Sequence, residues 1–227
     1  VLAVPLVWLA DATAPLFANT VQETLPHRPR HFSNPDDPRA TWRRAVVVLF
    51  FNPIVTALTA VVLARLVLFL SGGIARKPAI IMALAYVFGT MALPHSRTYF
   101  TEPLAGLFIL FAVDCLLRWY TTPLLDSTSK RRLLLSIGIG LGLAAAIWTR
   151  MDSPFLALGV GLTLVGAGEW KRRRESAYGI SQGPLPWKEY ATAGALTLGA
   201  FALLLAFNSW RYAGAASFLG GGYSGQE

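Results

Sequence analysis

The chain has 227 residues, of which 54% are hydrophobic and only 14% are charged, and its formal net charge is +8. A soluble domain carries about 25% charged residues, so this composition excludes an ordinary soluble globular domain. The positive mean hydropathy of +0.49 comes from long apolar blocks that alternate with short charged segments, as in polytopic membrane proteins. We therefore predict an all-α fold, namely a bundle of membrane-spanning helices.

The segment before residue 45 lacks an uninterrupted apolar block of spanning length. Val1–Ala10 is apolar, but it contains Pro5 and no basic region precedes it, so it is not predicted to be a signal peptide. Proline between His27 and His31 disfavours a helical pair of metal ligands, and no metal site is predicted. Aromatic residues along the segment indicate that parts of it lie on the membrane surface. We interpret residues 1–44 as a loop outside the bilayer.

Six apolar blocks between residues 45 and 208 are predicted to span the membrane as helices. Helices are expected because the backbone must satisfy its own hydrogen bonds within lipid. Several blocks are short for a span, so flanking polar residues must complete the crossing. The blocks are Ala45–Leu70, Pro78–Leu93, Pro103–Trp119, Leu133–Trp148, Pro154–Gly168 and Tyr190–Asn208.

Basic residues are concentrated in the connections on one side of this bundle. The short loops of the other side contain only Arg97, Arg150 and Arg211. The positive-inside rule therefore predicts a multi-pass protein of the cell membrane whose short basic loops are cytoplasmic. Residues 1–44 and 209–227 then lie outside, and the bilayer, not nucleic acid, is the partner of the basic residues. The basic side holds Arg76, Lys77, Arg118, Lys130, Arg131, Arg132, Lys171, Arg172, Arg173, Arg174 and Lys188.

Glycines within the spans predict close contacts between helices. The run from Gly138 to Gly142 resembles half of a dinucleotide-binding fingerprint, but it lies within a span and no strand precedes it. One helical turn separates Gly138 from Gly142, which instead favours a close helix–helix approach. Gly159, Gly161 and Gly194 are expected to act in the same way.

Two charged residues within one span are predicted to pair with each other. Asp114 and Arg118 are four residues apart near a cytoplasmic end, which favours a local ion pair over a proton relay. Cys115 is the single cysteine, so no disulfide within the chain is possible.

The short connections on the less basic side are dense in polar and aromatic residues. Arginines gathered at one membrane level suit a phosphate or pyrophosphate anchored in the outer leaflet. A nearby carboxylate suits a divalent metal or a general base. Ordinary loop residues that meet lipid headgroups explain the same composition equally well. The charged residues concerned are Arg97, Glu102, Arg150, Asp152 and Arg211.

Several strings of residues along the chain carry a resemblance to a known family. They are Leu2–Leu6, Phe51–Leu58, Gly89–Leu104, Thr149–Ser153, Asn208–Gly214 and the pair Gly222-Tyr223. Taken together and in this order, they resemble membrane glycosyltransferases of the GT-C type. More narrowly, they are similar to bacterial relatives of the dolichyl-phosphate-mannose protein mannosyltransferases.

The resemblance implies a sugar transfer with inversion, from a polyprenyl-phosphate donor to an acceptor at the outer membrane face. It also implies a catalytic acid close to the end of the first span. Here that acid is expected upstream of Val1, so we interpret the chain as a fragment that is inactive alone and assign no catalytic residue. Val1–Ala10 resembles an interfacial helix of this family, and residues 209–227 resemble a truncated outer segment.

Four residues of two outer connections match family positions. Glu102 resembles the acidic residue of the second outer loop, which would position a metal or the donor phosphate. Arg97 and Arg150 would face that phosphate, and Asp152 would support them as a second carboxylate. A divalent metal is the one cofactor that this set of residues suggests.

The last outer segment adds Arg211 and Tyr223, which the resemblance implies would contact donor or acceptor. One competing interpretation is a transporter or flippase for a lipid-linked or anionic solute, which also needs outer-face cations. Another is a non-catalytic membrane subunit. A transporter should place ionisable or broken-helix sites near the midplane, and the predicted spans have few central charges. The sugar, the acceptor and the oligomeric state are not predicted.

Overall fold

The computed structural model describes residues 4–24, 38–89, 102–122, 129–149, 153–177 and 186–212. Within these ranges all regular structure is α-helical and no strand occurs, so the all-α prediction is confirmed there. The helices are α1 (Val4–Thr24), α2 (Pro38–Leu70), α3 (Arg76–Gly89), α4 (Glu102–Thr121), α5 (Ser129–Thr149), α6 (Ser153–Ala177) and α7 (Trp187–Tyr212).

Four of these helices are long and apolar enough to cross a membrane, which is typical of a membrane protein. They match four of the six predicted blocks, and a count of six spans is not confirmed. In the described residues α3 has only 14 residues. In α6 the apolar part is followed directly by a charged run. The four segments are Ala45–Leu70 in α2, Pro103–Thr121 in α4, Lys130–Thr149 in α5 and Trp187–Trp210 in α7.

Both helices that flank the N-terminal connection are longer than the sequence pattern predicts. α1 continues past Ala10 to Thr24 and includes Pro15. α2 begins at Pro38 rather than at the first residue of the apolar block. Proline suits a first helical position because the missing N–H has no helical partner there. Much of residues 1–44 is therefore helical, and His27 and His31 lie outside the described residues.

The chain packs as two units, and the N-terminal one (Val1–Pro103) contains α1, α2 and α3. An aromatic contact holds α1 against the first turns of α2. Trp42 donates its indole N–H to the Thr13 hydroxyl at 2.9 Å, and its ring lies 5.4 Å from that of Phe17. Arg43 forms an ion pair with Asp11 beside this contact.

A glycine turn ends α2 and leads into α3. Gly72 and Gly73 have φ values of 63° and 88°, a left-handed conformation that glycine adopts without steric cost. The Gly73 N–H donates to the Leu68 carbonyl at 2.7 Å, and the Ser71 hydroxyl accepts the Ala75 N–H at 3.2 Å. These bonds satisfy backbone groups that the helix end would leave without partners.

The C-terminal unit (Leu104–Glu227) contains α4 from Leu104 onward, α5, α6 and α7. The predicted close approach at Gly138 and Gly142 is confirmed, and its partner is α4. A Cβ at Gly142 would lie 2.9 Å from the Phe108 carbonyl oxygen, and one at Gly138 would lie 2.8 Å from the Cys115 sulfur. Any larger side chain would push α4 away from α5.

The glycine run also lets α5 approach α7 on its other side. A Cβ at Gly140 would lie 3.0 Å from the Ala193 carbonyl oxygen. Further along the same pair of helices, Trp148 donates its indole N–H to the Ala200 carbonyl at 3.0 Å. α5 is therefore the central helix of the C-terminal unit, with α4 and α7 packed on opposite sides.

Candidate functional site at one end of the C-terminal unit

The directions of α4, α5 and α7 determine which helix ends meet. Trp119 near the end of α4 lies under the Arg132 guanidinium at the start of α5, 5.6 Å from the ring centre, so these helices are antiparallel. Arg132 also pairs with Glu189 at the start of α7. At the other end of both helices the rings of Trp148 and Phe207 are 6.2 Å apart. α5 and α7 are therefore parallel.

α6 runs opposite to α7, because Gly168 near its end faces Tyr190 near the start of α7. The starts of α4 and α6 and the ends of α5 and α7 consequently lie at one end of the unit, which we call the distal end. The other end carries Arg118, Lys130, Arg132, Lys171 and Lys188, and we call it the basic end.

The structure describes the backbone of two of the six predicted site residues. Glu102 is the first residue of α4, just before the part of α4 that belongs to the C-terminal unit. Arg211 lies in the last turn of α7, at the distal end. The connection 150–152 starts and finishes at the distal end, because α5 ends at Thr149 and α6 begins at Ser153. The predicted residues outside the described ranges are Arg97, Arg150, Asp152 and Tyr223.

An aromatic row marks the distal end between α5 and α7. The rings of Trp148 and Phe207 are 6.2 Å apart, and those of Phe207 and Trp210 are 6.1 Å apart. Trp210 is exposed. Tryptophan is enriched where a helix leaves the hydrocarbon and meets the headgroups. The row therefore indicates the membrane level of the distal end, where the predicted site residues are expected.

A cavity of about 490 Å³ lies between α5, α6 and α7. Its lining is almost entirely apolar, and the Thr197 hydroxyl that lines it donates to the Ala193 carbonyl at 2.8 Å. The predicted close contacts at Gly159, Gly161 and Gly194 are wrong, because a Cβ at each would meet no atom of the described structure within 4 Å. α6 thus stands away from its neighbours where these glycines lie.

The basic end contains a buried ion pair that the sequence analysis missed. An Nη of Arg132 lies 2.9 Å from a carboxylate oxygen of Glu189, and both side chains are buried. The Trp119 ring packs against Arg132 and lies 5.9 Å from the Tyr190 ring. The sequence analysis counts Arg132 among the basic residues of the cytoplasmic loops. The signal that points to its burial is Glu189, an acid in the first turn of an apolar helix.

Lys171 joins the end of α6 to the end of α4. Its ammonium donates to the Tyr120 carbonyl at 2.6 Å and to the Thr122 carbonyl, and it lies 5.9 Å from the centre of the Tyr120 ring. The last carbonyls of a helix have no partner within the helix, so this lysine satisfies the Tyr120 carbonyl and also binds the Thr122 carbonyl just after the helix end. The sequence analysis assigns it to the cytoplasmic loops, whereas the structure gives it a role in packing.

The next residues of the basic run form a second charge cluster. Glu169 accepts hydrogen bonds from Arg172 at 2.9 and 3.0 Å and from Arg173 at 2.9 Å. The hydrogen bonds from Arg172 and Arg173 lower the pKa of Glu169 from 4.5 to about 2, and the bond from Arg172 has the larger effect. The same pairing raises the pKa of Arg172. Arg173 is nevertheless largely exposed.

The predicted ion pair within α4 is confirmed. Arg118 donates from Nε to an Asp114 carboxylate oxygen at 2.9 Å, and Asp114 is buried. In the part of the chain that the structure covers, no group of three or more His, Cys, Asp or Glu side chains is placed to hold a metal ion. The two carboxylates predicted to position a metal are Glu102, of which only the backbone is described, and Asp152, outside the described residues.

Comparisons of this chain with known protein families, with curated proteins and with solved structures find no match. The resemblance to membrane glycosyltransferases therefore stays a prediction from the sequence. The helix directions, the distal end and the cavity are the structural observations from which a function can be argued.

Proposed function

We propose that this chain contributes to a membrane glycosyltransferase that moves a sugar from a polyprenyl-phosphate donor to an acceptor at the outer face. The gathering of helix ends at the distal end carries the proposal. The starts of α4 and α6 and the ends of α5 and α7 lie at this end, and the sequence analysis expects phosphate-binding residues in the connections next to them. A phosphate attached to a membrane lipid is confined to such a level, and arginine is well suited to bind it.

In the proposed reaction an acceptor oxygen attacks the anomeric carbon of the donor sugar, and the bond from that carbon to the phosphate oxygen breaks. The configuration inverts, the acceptor proton passes to a carboxylate base, and polyprenyl phosphate leaves. Arg97 and Arg150 would neutralise the charge that develops on the leaving phosphate. Glu102 would help to position the donor phosphate. Fixed cations directed at developing charge are an effective way to lower such a barrier.

The proposal also fixes an orientation. The basic end would face the cytoplasm, because exposed cations at that end include Lys130, Arg131, Arg174 and Lys188. The distal end would then open to the outside, where the donor is presented.

A transporter is the competing class, and the structure offers it less support. Secondary transporters bind their substrates at discontinuous helices near the membrane midplane. The spans of α4, α5 and α7 are continuous helices over their described lengths. Asp114, an acid within the α4 span, is paired with Arg118.

Sugar transfer in membranes that contain the full-length protein tests the proposal. Glu102→Gln and Arg97→Ala should each lower the transfer rate from a labelled polyprenyl-phosphate sugar by roughly a hundredfold to a thousandfold, the range seen when one electrostatic stabiliser is removed. Glu169→Gln and Arg174→Ala make the same chemical changes at the basic end and should leave the rate unchanged. Wild-type rates in both Glu102→Gln and Arg97→Ala, at equal expression, would remove these residues from the site.

A further inference from the structure

Three exposed cations lie at the basic end, in the first turns of α5 and α7. They are Lys130 and Arg131 on α5 and Lys188 on α7. The buried ion pair between Arg132 and Glu189 joins these two first turns at 2.9 Å. Arg132 directly follows Arg131, and Glu189 directly follows Lys188. Since α5 and α7 are parallel, the three exposed cations share one membrane level, and we call them the basic patch.

The protein itself does not neutralise the basic patch. Arg118, Arg132 and Lys171 of the same end use their charges within the protein, whereas the three patch residues form no ion pair in the part of the chain that the structure describes. The first turn of α5 contains no acidic residue, and the acid in the first turn of α7, Glu189, is paired with Arg132. Because the start of a helix carries a partial positive charge, cations there are unfavourable. An anionic ligand would relieve this repulsion.

The basic patch lies where two helices leave the hydrocarbon. Lys130 and Trp187 are the first residues of the segments of α5 and α7 that are long and apolar enough to span a membrane. Trp187 is 66% exposed, and tryptophan is enriched at the boundary between hydrocarbon and headgroups. Cations at this level meet lipid headgroups, which favours a lipid over a soluble anion as the partner.

Next to the basic patch, α5 offers an exposed apolar surface at membrane depth. Leu134 lies one helical turn after Lys130, on the same face of α5, and is 67% exposed. Leu141 continues this face two turns further along the helix and is 53% exposed. A matching ligand therefore has an anionic group at the helix start and hydrocarbon beside the following turns. A phospholipid of the adjacent leaflet has this arrangement.

We infer that the basic patch binds the headgroup of an anionic phospholipid in the leaflet at the basic end, with the acyl chains against the exposed face of α5. The planar guanidinium of Arg131 is suited to bind two phosphate oxygens, and Lys130 and Lys188 add positive charge at the same level. This site lies at the opposite end of the C-terminal unit from the candidate transfer site. The inference goes beyond the proposed function and does not depend on it.

Neutralising the basic patch tests the inference. Lys130→Gln combined with Arg131→Gln removes the two charges on α5, and Lys188→Gln tests α7 separately. The matched control is Arg76→Gln combined with Lys77→Gln, which removes an exposed arginine and an exposed lysine from the start of α3. Native mass spectrometry of the purified full-length protein in detergent would measure the binding of phosphatidylglycerol and of phosphatidylcholine with the same acyl chains. The melting temperature without added lipid checks that each variant folds.

Wild-type protein should bind phosphatidylglycerol more tightly than phosphatidylcholine. The Kd for phosphatidylglycerol should rise roughly tenfold or more in the α5 double variant and roughly fivefold in Lys188→Gln, and it should stay unchanged in the α3 control. An unchanged Kd in either patch variant would overturn the inference. A rise of equal size in the α3 control would also overturn it, because the attraction would then be diffuse, and so would equal binding of the two lipids by the wild type.

Discussion

Gly168 shows how a single residue sets the packing at the basic end. A Cβ there would lie 1.6 Å from the Tyr190 oxygen and 3.1 Å from a ring carbon of Trp119. We expect Gly168→Ala to destabilise the protein by about 1–3 kcal/mol, the usual cost of overpacking, seen as a lower melting temperature in detergent. Gly166→Ala is the control, because nothing lies within 4 Å of its added methyl group.

A second variant keeps this prediction specific. Tyr190→Phe removes the oxygen that clashes most strongly with the added methyl group, so it should restore part of the stability lost in Gly168→Ala. No recovery in the double variant would mean that the ring itself, whose Cζ would lie 2.7 Å from the added carbon, limits the packing more than the oxygen does.

Glu169 gives a prediction about pH at the residue scale. Its pKa falls from 4.5 to about 2 on folding, so its ion pairs stabilise the folded state at pH values above 4.5. That contribution declines as the pH drops below 4.5 and is lost as the pH passes through about 2. A carbon-13 NMR titration of the carboxylate should give a midpoint near 2, and Arg172→Gln should raise it. A midpoint that Arg172→Gln leaves unchanged would contradict the assigned cause.

The buried pair Arg132–Glu189 connects two elements, α5 and α7. Removing one partner leaves a buried charge, which costs about 3–5 kcal/mol, whereas replacing both can be nearly neutral. We expect Arg132→Met alone to lower the melting temperature strongly, and Arg132→Met with Glu189→Met to regain much of the loss. Arg131→Met, one residue away and exposed, should have little effect. Additive losses in the double variant would show that the two charges do not interact.

Lys171 gives the second prediction at the scale of elements. Lys171→Met keeps the aliphatic stem but removes the donors to the Tyr120 and Thr122 carbonyls. Hydrogen bonds from charged groups contribute about 1.5–3 kcal/mol, so the last turn of α4 should exchange its amide protons faster in this variant. Arg174→Met, three residues further along and exposed, should leave that exchange unchanged.

The sequence predicted the elements better than their contacts. Hydropathy located four helices that are long and apolar enough to span a membrane, and the spacing of Gly138 and Gly142 identified one packed face of α5. The same argument was wrong at Gly161 and Gly194, because a small residue permits a close approach without requiring one. Charge counting also could not tell the buried Arg132 from the exposed Arg131, since only the position of Glu189 in the folded unit separates them.

For the whole molecule, the candidate site depends on helix direction more than on any single residue. Arg211 lies at the end of α7, and the directions of α4 to α7 bring that end to the same end of the C-terminal unit as the part of α4 that begins at Leu104. Sequence reasoning anticipated this arrangement from alternating spans. It could not anticipate the cavity, which exists because α6 stands away from α7 above a packed floor.

Outer-face transfer requires the distal end to lie outside the cell, and cysteine labelling tests this requirement directly. Cys115 is the single cysteine of this chain and is buried, so the chain itself contributes little background labelling. Trp210 at the distal end and Trp187 at the basic end are exposed and can each be replaced, as Trp210→Cys and Trp187→Cys. In intact cells a membrane-impermeant maleimide should label the first variant, and it should label the second only after lysis. The reverse pattern would place the candidate site in the cytoplasm and contradict the proposed function.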